Sequence, residues 1–249
     1  MEELMAIELA TSEWDLKNRF TVLAVLLTID IALILADFLW GVAHVLDIMP
    51  GRPKVLMISY DHGIAETWNI LKWAAATTVL MAAAMRACQA ATLLLALPTL
   101  LMMLDDWLMV HEQMGGLFGQ MISRESSVSY ITGEIVFALL FACVVYGLLI
   151  LAWILGDDRS RPAITRFAVL YVALGAFGVG IDALHSLYLE AIGGYSSTEA
   201  FVGLVEDGGE MLIISIITFV ALSLWVRPSA IKPYSSFHGG ADDRKSDGT

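Results

Sequence analysis

The chain has 249 residues, 58% of them hydrophobic and only 16% charged, with a mean hydropathy of +0.73 and a formal net charge of −12. Soluble globular domains carry about 25% charged residues, so this composition excludes that class and specifies an integral membrane protein. A pI near 4.7 also excludes nucleic acid and anionic lipid headgroups as partners, because both are recognised through basic patches.

A helix needs about 20 apolar residues to cross the hydrocarbon core. Six stretches reach that length, at 20 to 46, 64 to 85, 91 to 110, 131 to 155, 167 to 188 and 201 to 226. They predict an all-α bundle of six transmembrane helices occupying residues 20–227. Residues 1–19 hold five acids and no signal-peptide pattern, and are expected to be a cytoplasmic segment ahead of an inserting first helix.

The first helix carries Asp30 and Asp37, seven residues apart, with His44 continuing the face. Either the acids hydrogen-bond within the bundle or they line a proton or cation path. After the turn sequence LDIMPGRP, His62 and Glu66 stand at i,i+4 near the start of the second helix. Lys72 in that helix has three readings: a structural ion pair, a charge that tunes a site with Asn69 and Glu210, or a snorkelling side chain. Ala83, Ala87 and Ala91 form a small-residue stripe suited to close helix packing. Cys88 and Cys143 fall at different depths and are expected to pack as small apolar residues, without a disulfide.

The third helix ends in LDDWLMVHE, where Asp105 and Glu112 share a face two turns apart and Asp106 points toward the Met109 and Val110 side. Residues 113–130 contain MGGLFGQMI, too apolar for a solvated loop. The segment is expected to lie on the outer leaflet or to form a lid made mobile by Gly115, Gly116 and Gly119. Glu134 opens the fourth helix. In the fifth, Ala176 and Gly180 lead to Asp182 and His185 at i,i+3; in the sixth, Glu206 and Glu210 stand at i,i+4 around Gly208 and Gly209. That glycine pair predicts a close backbone contact or a local irregularity. Residues 228–249, with Pro228, Pro233 and GADDRKSDGT, are expected to be a flexible cytoplasmic tail.

With the N-terminus inside, ten of the 14 lysines and arginines fall on the cytoplasmic side and three outside, which places both termini in the cytoplasm. More than half of the 26 acids then fall on the outer side, where their field concentrates cations. His111, Glu112, Asp182, His185, Glu206 and Glu210 are the candidate metal ligands, and Asp105 and Glu134 the candidate catalytic or proton-transfer groups.

Carboxylates with one or two imidazoles suit iron, manganese or zinc. Asp182-x-x-His185 is comparable to the Glu-x-x-His pairs of bundle di-iron proteins, but Leu108 stands where a second pair would need an acid before His111. The Ser-x-x-x-His and His-x-x-x-His spacings of ceramidase-type membrane hydrolases are absent. The expected function is an outward-facing acidic and histidine site binding a divalent metal, in a metal-dependent membrane hydrolase or oxidase acting on a lipid or small molecule. A proton- or cation-coupled transporter and a structural or assembly subunit are the alternatives.

The segments LDDWLMVHE, GEIVFALL, GVGIDALH and EDGGEML resemble those of a group of uncharacterised bacterial polytopic membrane proteins. The resemblance covers predicted helices three to six. It implies a bacterial inner-membrane location and no activity.

Overall fold

The computed structural model describes residues 2–49, 51, 53–87, 89–122, 127–158, 160–181, 183–184 and 197–225. The regular structure among these residues is all helical, without a strand. The helices are α1 (Glu2–Val45), α2 (Ile64–Ala87), α3 (Ala90–Leu108), α4 (Val110–Ile122), α5 (Ser127–Leu155), α6 (Arg161–Gly175) and α7 (Ser197–Trp225). A 3-10 turn at Lys54–Leu56 precedes α2, and α6 runs on as a π-helix through Ala176–Ile181. The predicted tail and the pair Asp182 and His185 lie outside the described residues or their described side chains.

Five stretches are long and apolar enough to cross a membrane: Phe20–Val45, Ala90–Leu108, Ile131–Leu155, Arg161–Ile181 and Phe201–Leu224. Helix α2, the second span of the sequence reading, is not among them. Glu66, Lys72 and Arg86 interrupt its apolar character. Yet α2 is packed within the bundle, on α3 along one side and α7 along another. Its Trp73, Ala76 and Leu80 are fully buried against Leu95 and Ala96 of α3, Val145 and Leu149 of α5, Phe167 of α6, and Ile214 and Ile217 of α7. A helix surrounded by protein can carry polar side chains that a lipid-facing helix cannot.

Lys72 is the clearest case. Its ammonium donates to Asp30 Oδ1 at 2.9 Å, to the Met211 carbonyl at 2.8 Å and to Ser215 Oγ at 3.1 Å. Asp30 also accepts from Trp68 Nε1 at 2.8 Å and from the Ser215 hydroxyl at 2.5 Å. All three ammonium protons thus have acceptors, and the pair ties α1, α2 and α7 together. Of the three readings of Lys72, the structure bears out the ion pair, with Asp30 as its partner.

The segment expected to lie on the outer leaflet or to form a lid is in its first part the helix α4, folded back along the start of α5. A side chain at Gly133 would collide with the Gly115 carbonyl and the Gly119 backbone, and one at Gly115 would collide with Glu134. Gly115, Gly119 and Gly133 let the two helices approach closely. Gly208 and Gly209 resolve the same way: α7 is helical through both, with Ile34 against one and the Phe177 ring against the other.

Candidate functional site

The acidic helix ends converge. The C-terminal part of α3, the start of α4, the starts of α2, α5 and α7, and the π-helix after α6 surround a cavity of about 700 Å³. Its wall carries nine carboxylates, those of Asp61, Glu66, Asp105, Asp106, Glu112, Glu134, Glu206, Asp207 and Glu210, together with His111. Among the described residues no lysine or arginine lines it. Further along, the wall turns apolar and aromatic, with Phe137, Phe141 and Val145 of α5 facing Leu174 of α6 and Ile214 of α7.

Local backbone geometry sets the acids of α3 and α4. Met109 adopts φ 50° and ψ 43°, a left-handed conformation that ends α3 and redirects the chain into α4. Asp105 exploits the break. Its Oδ1 accepts the His111 backbone N–H at 2.9 Å, satisfying an orphan donor at the start of α4, and its Oδ2 lies 3.3 Å from His111 Nδ1. Asp105 is therefore a cap and a histidine partner, and its alignment with Glu112 on one continuous helix does not survive the break.

The His111 side chain is 46% exposed. Burial alone pushes its imidazole down, but the hydrogen bond and charge of Asp105, aided by Glu112 and Asp106, outweigh this and raise the pKa from 6.5 to about 9. A raised folded-state pKa stabilises the fold fully below the unfolded value and is lost as pH rises through the folded one. The thermal transition of the His111→Gln variant is accordingly expected to lie furthest below that of the parent at pH 6.5 and lower. The gap should shrink as pH passes about 9. A gap independent of pH would show that the imidazolium makes no such contribution.

Asp106, directed away from the site on helical phase alone, faces the interior and accepts from Trp73 Nε1 at 2.7 Å. Glu66 also belongs to the wall and accepts the His62 backbone N–H, where His62 itself is left-handed with φ 61°. Glu210 rests its carboxylate against Gly178 of the π-helix, a place no larger residue could leave open. A π-helix adds a residue per turn and is found disproportionately at functional sites.

Of the eight predicted site residues, the structure brings Asp105, His111, Glu112, Glu134, Glu206 and Glu210 to this one cavity. Asp182 and His185 fall outside the described side chains. Asp61, Glu66, Asn69, Asp106 and Asp207 line the cavity too; sequence reading sets Asp61 aside as a solvated acid, turns Asp106 away, and names none of the five as a ligand or catalytic group. Spacing held a signal for two of them, since Glu66, Asn69 and the buried Trp73 stand at i, i+3 and i+7 on one face of α2. Among the described residues no group of three His, Cys, Asp or Glu is placed to hold a metal ion.

Residues 21–226 match the profile of a domain of unknown function, DUF8692. The chain belongs to the DUF8692 family. The family match runs from α1 to α7, further than the four segments that carried the sequence resemblance, and it brings no activity with it. No curated protein and no solved structure matches the chain. What the DUF8692 cavity does must come from its own chemistry.

Proposed function

We propose that this chain is a six-span membrane protein whose acidic cavity binds a cation. One observation carries the reading: among the described residues, nine carboxylates and one histidine line a single cavity that no lysine or arginine enters. Lys72, the nearest buried cation, is committed to Asp30. Focused between low-dielectric walls, such a set of acids concentrates positive charge.

The sixth span is α2. Its start and the end of α3 both line the acidic cavity, so the two helices run in opposite directions side by side. Six crossings with α4 as a short return put both termini on one face, and the distribution of lysine and arginine makes that face the cytoplasm. The cavity then opens outward, and the resemblance of the acidic segments favours a bacterial inner membrane.

A divalent metal such as iron, manganese or zinc is one cation that would answer. With no three-donor group among the described residues, the geometry favours a ligand held by field and hydrogen bonds over one held by a closed ligand set. Calorimetry of the purified protein in phosphatidylcholine nanodiscs, with manganese and with tetramethylammonium, tests the reading alongside elemental analysis. We expect a saturable site for a cation, weakened about tenfold or more by Glu206→Gln with Glu210→Gln. A protein that binds neither cation and retains no stoichiometric metal would rule the reading out.

A further inference from the structure

The shape of the cavity says more about the cation than its charge does. Along α5 the lining runs from Glu134 to Tyr146, twelve residues or about 18 Å of helix, and changes from acidic to apolar and aromatic on the way, the Tyr146 hydroxyl being bonded to the Ala168 carbonyl. Helix α5 packs on α3 and α4 and only lightly on α6, which leaves a gap between it and α7. Leu139 and Val172, on opposite rims of that gap, line the cavity and are also about 60% exposed, at 62% and 61%. The apolar part of the cavity therefore opens sideways on a surface that faces lipid.

A small hydrated cation has no use for a lipid-facing apolar trough. We propose that the cavity takes a single-chain amphiphile with a cationic, phosphate-free head, the head lodged among Glu134, Glu206 and Glu210 and the hydrocarbon chain along Phe137, Phe141 and Val145. This deepens the cation reading and rests on it. Three features choose this occupant. A volume of about 700 Å³ is that of a site for one small molecule, and at about 1.2 Å per bond a chain of about a dozen carbons spans about 13 Å, leaving the rest of the wall to the head. A phospholipid head is disfavoured by charge, since its phosphate would meet carboxylates with no lysine or arginine among the described lining residues to pair with. The Asn69 side-chain oxygen at the acidic end is fully buried without a hydrogen-bond partner among the described residues, and an ammonium N–H supplies the donor it lacks.

The test uses the full chain in phosphatidylcholine nanodiscs, with empty nanodiscs as reference, titrated with dodecyltrimethylammonium, dodecylammonium, dodecyl sulfate and tetramethylammonium. Both dodecyl cations are expected to saturate one site, dodecylammonium the more tightly because it alone can donate to Asn69, and dodecyl sulfate to show none. Ala142→Trp places a large ring in the apolar trough and should weaken the dodecyl cations by about tenfold or more while leaving tetramethylammonium unchanged. Ala138→Trp, one turn away on the same wall, is the parallel variant should the first fail to fold. If tetramethylammonium binds and neither tryptophan variant affects the dodecyl cations, the amphiphile proposal falls and the cation reading stands. If no cation of either size binds, both fall.

Discussion

Replacing Lys72 with methionine is expected to lower the free energy of unfolding by about 3 to 5 kcal/mol. The Asp30 carboxylate it would strand is 0% exposed, and the Met211 carbonyl and Ser215 hydroxyl would lose a donor at the same moment. Asp30→Leu should cost a similar amount, by leaving the ammonium buried without its counter-charge. The double variant is expected to recover most of the loss, because well-packed apolar residues in place of a buried ion pair are often neutral or stabilising. Equilibrium unfolding in mixed micelles, read as a double-mutant cycle, gives the coupling directly. Single-variant losses below about 1 kcal/mol, the range of surface pairs, would mean that the pair does not hold α1, α2 and α7 together.

Gly133→Val is the second large effect. A Cβ at this position meets the Gly115 carbonyl and the Gly119 backbone, and backbone cannot rotate away as a flexible side chain could. Overpacking costs about 1 to 3 kcal/mol, and a collision with main chain belongs at the upper end. Its readout is local: α4 should separate from α5, with faster hydrogen exchange across Val110–Ile122 and weaker cation binding as Glu134 and the Asp105–His111 pair lose their setting. Gly147→Ala, in the same helix but with nothing within 4 Å of the added carbon, is the control. It is expected to be neutral or to stabilise by up to about 1 kcal/mol through helix propensity. Equal losses from the two substitutions would mean that close helix approach is not what Gly133 provides.

Much of the helical content, and the gathering of acids at one end, could be read from hydropathy and spacing. Helix boundaries were off by a few residues, which matters little for a span and a great deal for a face. Asp105 and Asp106 show the difference. Adjacent residues on one helix point about 100° apart, so the phase argument had to choose between them, and it chose without knowing that Met109 ends the helix one turn later. Asp105 turned out to cap α4, and Asp106 reaches inward to Trp73.

The glycines were ambiguous for a different reason. A GGLFG run frees the backbone in a loop and admits a neighbour in a helix, and only the presence of Gly133 opposite decides which. Lys72 and Asp30 were each visible as costly, but a pair formed by two helices 42 residues apart leaves no periodic mark in the sequence. A hydropathy window leaves α2 out for a related reason: it averages along a helix and cannot tell a charge facing lipid from one facing protein.

The contacts of α7 set an order of assembly. Helices α2 to α5 lean largely on their chain neighbours, α2 on α3 and α5 on α3 and α4, whereas α7 comes back to α1 and α2 across most of the sequence. Until α7 is made and inserted, the Lys72 ammonium has Asp30 but neither the Met211 carbonyl nor Ser215, and the cavity lacks the wall that carries Glu206 and Glu210. The nascent chain therefore holds a half-solvated ion pair and an open trench. Completion of the ion pair's surroundings and closure of the pocket are one event, so a chain stalled before α7 lacks both the cavity wall that carries Glu206 and Glu210 and the two acceptors that complete the Lys72 ammonium.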